Sequence, residues 1–166
     1  MAVFHTKTFL KYDDYMTPKS AWSAIQHLIP KDKIIWEPFY GDGKSGKFLK
    51  ELGFDVIHAK IDFFEHNWGD IVVSNCPYTK YKEILTRLVQ LEKPFILILP
   101  VSKINTQIVR NLFINQADKL QIIIPKKRIQ FEKLKDGKTT LQNACNFDCL
   151  YYCWKINLEN DITWLL

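Results

Sequence analysis

Asp70-Ile71-Val72-Val73-Ser74-Asn75-Cys76-Pro77-Tyr78 is the stretch that decides the fold. Its apolar, β-branched first half predicts a buried parallel strand. A helical pattern, Tyr81 to Leu91, follows it. An amide, a proline-kinked backbone and an aromatic ring therefore meet at the carboxyl end of a strand. In open α/β sheets that end is where ligands bind. The set suits a planar amine: the Asn75 side chain and the Cys76 carbonyl accept its hydrogens, and the Tyr78 ring lies on its face.

About forty residues earlier, Glu37-Pro38-Phe39-Tyr40-Gly41-Asp42-Gly43 marks a second strand-to-loop junction. Gly41 and Gly43 let the backbone turn sharply and approach a ligand with no side chain in the way. The helix start that follows offers free backbone N–H groups. The continuation Lys44-Ser45-Gly46-Lys47 imitates a phosphate loop, but neither register is complete. Counted from Gly41, Phe48 stands where a magnesium-binding hydroxyl is required; counted back from Gly43-Lys44-Ser45, Pro38 stands at the first glycine. Nucleotide hydrolysis is excluded on that ground.

Together the two segments resemble the amino-methyltransferases that use S-adenosylmethionine, in particular the adenine-specific (N-6) DNA and RNA enzymes. Those carry an E-P-F-x-G-x-G loop for the cofactor and a [D/N/S]-P-P-[Y/F/W] loop for the target amine. The first is intact here; in the second, Cys76 stands where the family has its first proline. The resemblance implies that Asn75, Cys76, Pro77 and Tyr78 form the catalytic loop. It implies that Glu37 faces the methionine part of the cofactor, with Pro38, Phe39, Gly41 and Gly43 on the same wall. Asp62-Phe63 matches the pair that contacts the cofactor's adenine. Tyr15, Thr17 and Pro18, with Asp14, match the N-terminal segment over the methionine end. Where the family usually has an acid for the ribose hydroxyls, this chain reads His58-Ala59-Lys60, and a lysine cannot accept those hydrogen bonds.

The rest of the chain fits a single methyltransferase-like domain over residues 1–166, Rossmann-like and α/β. Thr17 as cap and Pro18 at the first position predict a helix to about Leu28. Strands are predicted over 33–36, 54–59, 70–74, 94–100, 120–124, 129–134 and 147–156, with helices near 45–52, 80–91 and 105–113. Alternating strands and helices followed by strands alone indicate a mostly parallel sheet with an antiparallel C-terminal hairpin. The resemblance implies the same seven-stranded sheet, from about Asp13 to Ile156.

Hydrophobic residues make up 47% of the chain and aromatics 14%, which excludes a disordered protein. No apolar run reaches the roughly 18–20 residues of a membrane span, and the N-terminus lacks the pattern of a secretory signal, so an intracellular protein is expected. Of the four cysteines, Cys145, Cys149 and Cys153 recur every fourth residue. On a strand they share a face, and no further ligands complete a zinc spacing, so buried thiols and no metal are expected. The net charge of +5 permits a polyanionic partner, and Lys126-Lys127-Arg128 is the densest basic cluster. It reads either as a solvated loop or as a phosphate-contacting patch.

Two functions fit these residues. One is methylation of the exocyclic amine of adenine in DNA or RNA. The other is a non-catalytic module of the same fold that binds nucleic acid or a protein partner. No gap between motifs is long enough for a separate target-recognition domain, so an enzyme of this kind would act on single strands, read little sequence or borrow specificity from a partner.

Overall fold

The computed structural model describes residues 15–135, 138–141 and 147–166. Asp14, Cys145 and the expected turn at Asp136-Gly137 lie outside the described residues. In chain order the elements are β1 (Tyr15–Met16), α1 (Lys19–Ile25), β2 (Ile35–Trp36), α2 (Lys44–Glu51), β3 (Val56–Ile57), β4 (Ile71–Asn75), α3 (Tyr81–Gln90), β5 (Phe95–Pro100), α4 (Gln107–Phe113), β6 (Gln121–Ile124), β7 (Glu132–Lys135), β8 (Lys138–Leu141), β9 (Cys149–Trp154) and β10 (Ile162–Trp164).

The main sheet has seven strands in the order β10-β6-β9-β5-β4-β2-β3. All pairs are parallel except those of β9, which runs antiparallel to both β5 and β6. Burial explains the sequence of the central strands. Every residue of β5 is buried, as expected where helices cover both faces of a parallel sheet. In β9 the bulky phenols of Tyr151 and Tyr152 are tolerated because each hydroxyl donates to a backbone carbonyl, of Ala21 and Pro100 respectively, at 2.7 Å. Trp154 donates to the Asp118 carbonyl at 3.0 Å.

Strand β2 lies between β3 and β4, both parallel to it. The chain leaves β2 in one direction through α2 and later resumes in the other with β4. This reversal opens a crevice at the carboxyl ends of β2 and β4. Glu37 follows β2 and Asn75 ends β4, so both expected loops reach that crevice.

The sheet differs from expectation at its edge. Residues 129–134 do not form its seventh strand. Ile129 and Phe131 are buried off the sheet, and β7 pairs antiparallel with β8 and with β1 in a separate three-stranded sheet. The seventh strand is β10, past the end of the segment the resemblance covers. Helix α1 is also shorter than predicted. Pro18, not Thr17, is its N-cap, with ψ at 153° and no side-chain cap. The pairing of Tyr15 and Met16 with β7 holds the chain extended up to this point, and Thr17 is buried instead of free to cap. Cys76, Cys149 and Cys153 are buried, and burial pushes the Cys153 thiol well above its ordinary range. Among the described residues no three His, Cys, Asp or Glu side chains cluster as a metal site, and no helix is long and apolar enough to cross a membrane.

Candidate functional site

Glu37 anchors one wall of the crevice. Its Oε1 accepts from the Phe39 N–H at 3.0 Å and from the Ser74 hydroxyl at 2.5 Å. The Ser45 side chain is a third partner, and Ser45 Oγ accepts from Trp22 Nε1 at 2.8 Å. This network ties α1, α2, β2 and β4 together. Burial, only partly offset by these hydrogen bonds, raises the carboxyl to about 8, so at neutral pH it is mostly protonated.

Asn75 forms the opposite wall. Its Nδ2 donates to the Tyr15 carbonyl at 3.3 Å, while its Oδ1 is buried and has no hydrogen-bond partner among the described residues. Buried acceptors are rarely left unpaired. Next to it Cys76 and Pro77 are buried, with Cys76 at 2% exposure. Tyr78 is expected to offer an open stacking face, and the structure packs it instead. Its ring meets Phe147 edge-on at 5.5 Å, and its hydroxyl lies 3.5 Å from Cys149 Sγ. Phe147 also meets Tyr15 at 5.3 Å, and Tyr15 meets Phe131 at 6.2 Å. With 9% of its surface exposed, the Tyr78 ring offers no open face to a planar ligand.

The glycine loop turns as its residues require. Gly41 and Gly43 have φ of +57° and +83°, in the left-handed region that favours glycine. A Cβ on Gly41 would meet Met16 Sδ at 3.1 Å, so β1 lies directly over the loop. Lys44 reaches Asp42 at 3.4 Å and Glu132 of β7 at 3.5 Å, a second link to the small sheet.

The structure separates the two expected adenine contacts. Asp62 is half-buried, and its Oδ1 accepts from the Phe64 N–H at 2.8 Å. Phe63 is a core residue with no exposed surface, stacked on Trp36 at 5.5 Å and tilted against Phe39 at 5.2 Å. It has no free face for an adenine, because the aromatic side chains around it complete the packing beneath β2. Phe64, its half-buried neighbour, is the ring on the solvent side.

At the end of β3, His58 stacks on Tyr40 at 4.6 Å, and Lys60 lies 5.0 Å from the Tyr40 ring centre. Burial, reinforced by the Lys50 charge, lowers His58 to about 4 and keeps the imidazole neutral. Gly46 makes this packing possible. A Cβ there would lie 2.0 Å from His58 Nδ1 and 2.2 Å from Cγ. In an open helix Gly→Ala gains about 1 kcal/mol. Here the clash reverses the sign, and Gly46→Ala is expected to destabilise by about 1–3 kcal/mol. Thermal denaturation of Gly46→Ala, His58→Ala and the double variant checks this: the double variant should recover most of the loss.

No protein-family model and no curated protein matches the sequence. Solved structures match its fold. A putative class I S-adenosylmethionine-dependent methyltransferase from Listeria monocytogenes matches with a TM-score of 0.51 and 12% identity, over 95% of this chain and 67% of that one. The chain has the class I methyltransferase fold. Two further structures match more loosely. Precorrin-6y C5,15-methyltransferase from Geobacter metallireducens GS-15 gives a TM-score of 0.45 at 11% identity, over 89% of this chain and 96% of that one. The tRNA (m1A58) methyltransferase TrmI from Aquifex aeolicus gives 0.44 at 15%, over 92% and 74%.

Against the cofactor that the resemblance implies for this class I fold, the crevice fits at the glycine loop: Gly41 and Gly43, both at positive φ, follow β2 at the strand-order reversal and leave room that a Cβ would take. The end of β3 fits less well, since Lys60 and the His58–Tyr40 stack replace an acidic partner. Several residues that build the crevice gave no sequence signal. Ser74 and Ser45 hold Glu37, Phe147 packs edge-on against Tyr78, and Phe131 packs against Phe147 and Tyr15.

Proposed function

We propose that the chain is an S-adenosylmethionine-dependent methyltransferase acting on the exocyclic amine of adenine in nucleic acid. The buried, unpartnered Oδ1 of Asn75 carries this reading. An aromatic amine is a poor nucleophile because its lone pair is delocalised into the ring. Asn75 Oδ1 and the Cys76 carbonyl would accept its two hydrogens, localise the lone pair on nitrogen and fix its direction. Positioning and preorganised acceptors of this kind supply most of the rate in such a reaction. Bound in the crevice, S-adenosylmethionine would supply the electrophilic methyl group. The glycine loop and the Tyr15–Pro18 segment would hold it, with Glu37 beneath.

Calorimetric titration of the purified protein with S-adenosylmethionine tests the reading without any guess about substrate. Saturable binding that is lost in Gly41→Val is expected; no binding at millimolar cofactor would end it. Lys60 at the ribose position favours the second reading, a binding module of this fold with a degenerate cofactor pocket. Cys76→Pro separates the two. Proline fixes φ near −65° and stiffens the acceptor carbonyl. In an enzyme it should keep or raise the rate of labelled-methyl transfer to single-stranded DNA or RNA, whereas in a module no transfer appears in either form.

A further inference from the structure

Topology gathers cationic loops at the end of the sheet that carries Asn75. Strands β4, β5 and β6 point the same way, since β4 is parallel to β5 and both β5 and β6 are antiparallel to β9. The turns after them hold Lys80, Lys103 and Lys126-Lys127-Arg128, of which all but half-buried Lys103 are exposed. Contacts connect these turns into one strip. The Lys103 ammonium lies 4.6 Å from the ring centre of Tyr81, the residue after Lys80. Asp148 joins the next pair of turns: its carbonyl accepts from the Val101 N–H at 2.8 Å, and its carboxylate pairs with Arg128 at 2.6 Å. The central turn is braced by the Tyr152 hydroxyl on the Pro100 carbonyl and by Thr106 on the Lys103 carbonyl, both near 2.8 Å. Within this braced strip Val101 and Ile104 stay 40% and 38% exposed.

We propose that this strip is the track for a single-stranded nucleic acid leading to the Asn75 loop. The lysines would meet phosphates, and Val101 and Ile104 would meet base faces. Four neighbouring strands, β4-β5-β9-β6, at about 4.8 Å spacing make the track roughly 14 Å long, a few nucleotides. A single strand suits it because its bases need no extraction from a stack before one enters the crevice. The proposal rests on the reading of Asn75 as the target-amine site, and it is tested without cofactor so that the two fail separately.

The test is anisotropy of a fluorescent single-stranded oligonucleotide with the cofactor-free protein across a salt series. Lys126→Glu/Lys127→Glu and Lys103→Glu should each weaken binding at least about fivefold, and the double variant should flatten the slope of log K against log salt by about 0.7 per lost phosphate contact. Lys31→Glu/Lys33→Glu, exposed residues before β2 at the opposite end of the sheet, change the charge equally and should leave affinity within about twofold. Equal loss from both double variants would show that only net charge matters and overturn the track. So would no loss from any variant, or tighter binding of the duplex of the same sequence.

Discussion

Asn75→Ala should lower methyl transfer by about 100- to 1,000-fold, the loss seen when a preorganised polar contact to a reacting group is removed. The fold should hardly notice. The substitution removes the Nδ2 bond to the Tyr15 carbonyl, worth about 1 kcal/mol. It also removes a buried acceptor that has no partner, which returns a desolvation penalty of similar size. Melting temperature should therefore change by only a few degrees while transfer collapses, and cofactor binding should persist. Asn75→Asp keeps an acceptor at the same place and should recover much of the activity. The readout is labelled-methyl incorporation into single-stranded nucleic acid, with kcat and KM separated. Full activity in Asn75→Ala would remove Asn75 from the chemistry and with it the central argument for an amine substrate.

The parts of the site legible in the sequence were those built locally. The run Ile71 to Ser74 sets the strand, and the loop after it follows within the next few residues. Glu37 to Gly43 is legible for the same reason, since positive φ at Gly41 and Gly43 is a demand of the turn itself. What failed depended on distant pairing. Phe131 and Phe147 show no period that would place them against Tyr15 and Tyr78, because they sit in irregular chain more than a hundred residues from β1. Residues 129–134 have strand-like composition, yet composition does not say which sheet a strand joins. Phe63 resembles an adenine contact in sequence and is a core residue in space, since its surroundings are supplied by Trp36 and Phe39. Thr17-Pro18 reads as a helix start, and the helix does start there, but the tie from β1 to β7 shifts the cap by one residue.

Glu37→Gln should stabilise the protein increasingly as pH rises from 5 to 8. The Glu37 carboxyl has its ordinary value near 4.5 in the unfolded chain and about 8 when folded. Between those values the folded state holds a proton that the unfolded state has released, so unfolding is favoured by each step upward in pH. Integrated over the interval, this removes on the order of 5 kcal/mol of stability that is fully present below pH 4.5. Glutamine cannot ionise, and its oxygen can still accept from Phe39 and Ser74. The two proteins should melt together near pH 5, and by pH 8 the variant should melt about 10 °C higher. Parallel melting curves across that range would mean that Glu37 is solvated in solution. The same proton links stability to binding. A cation seated beside Glu37, such as the ammonium of a cofactor's amino-acid end, favours the carboxylate. Cofactor affinity in the wild type should then rise as pH approaches 8, with proton release visible as a buffer-dependent heat. In Glu37→Gln both effects should vanish, so the residue that makes the fold less stable at neutral pH is the one that makes binding sensitive to it.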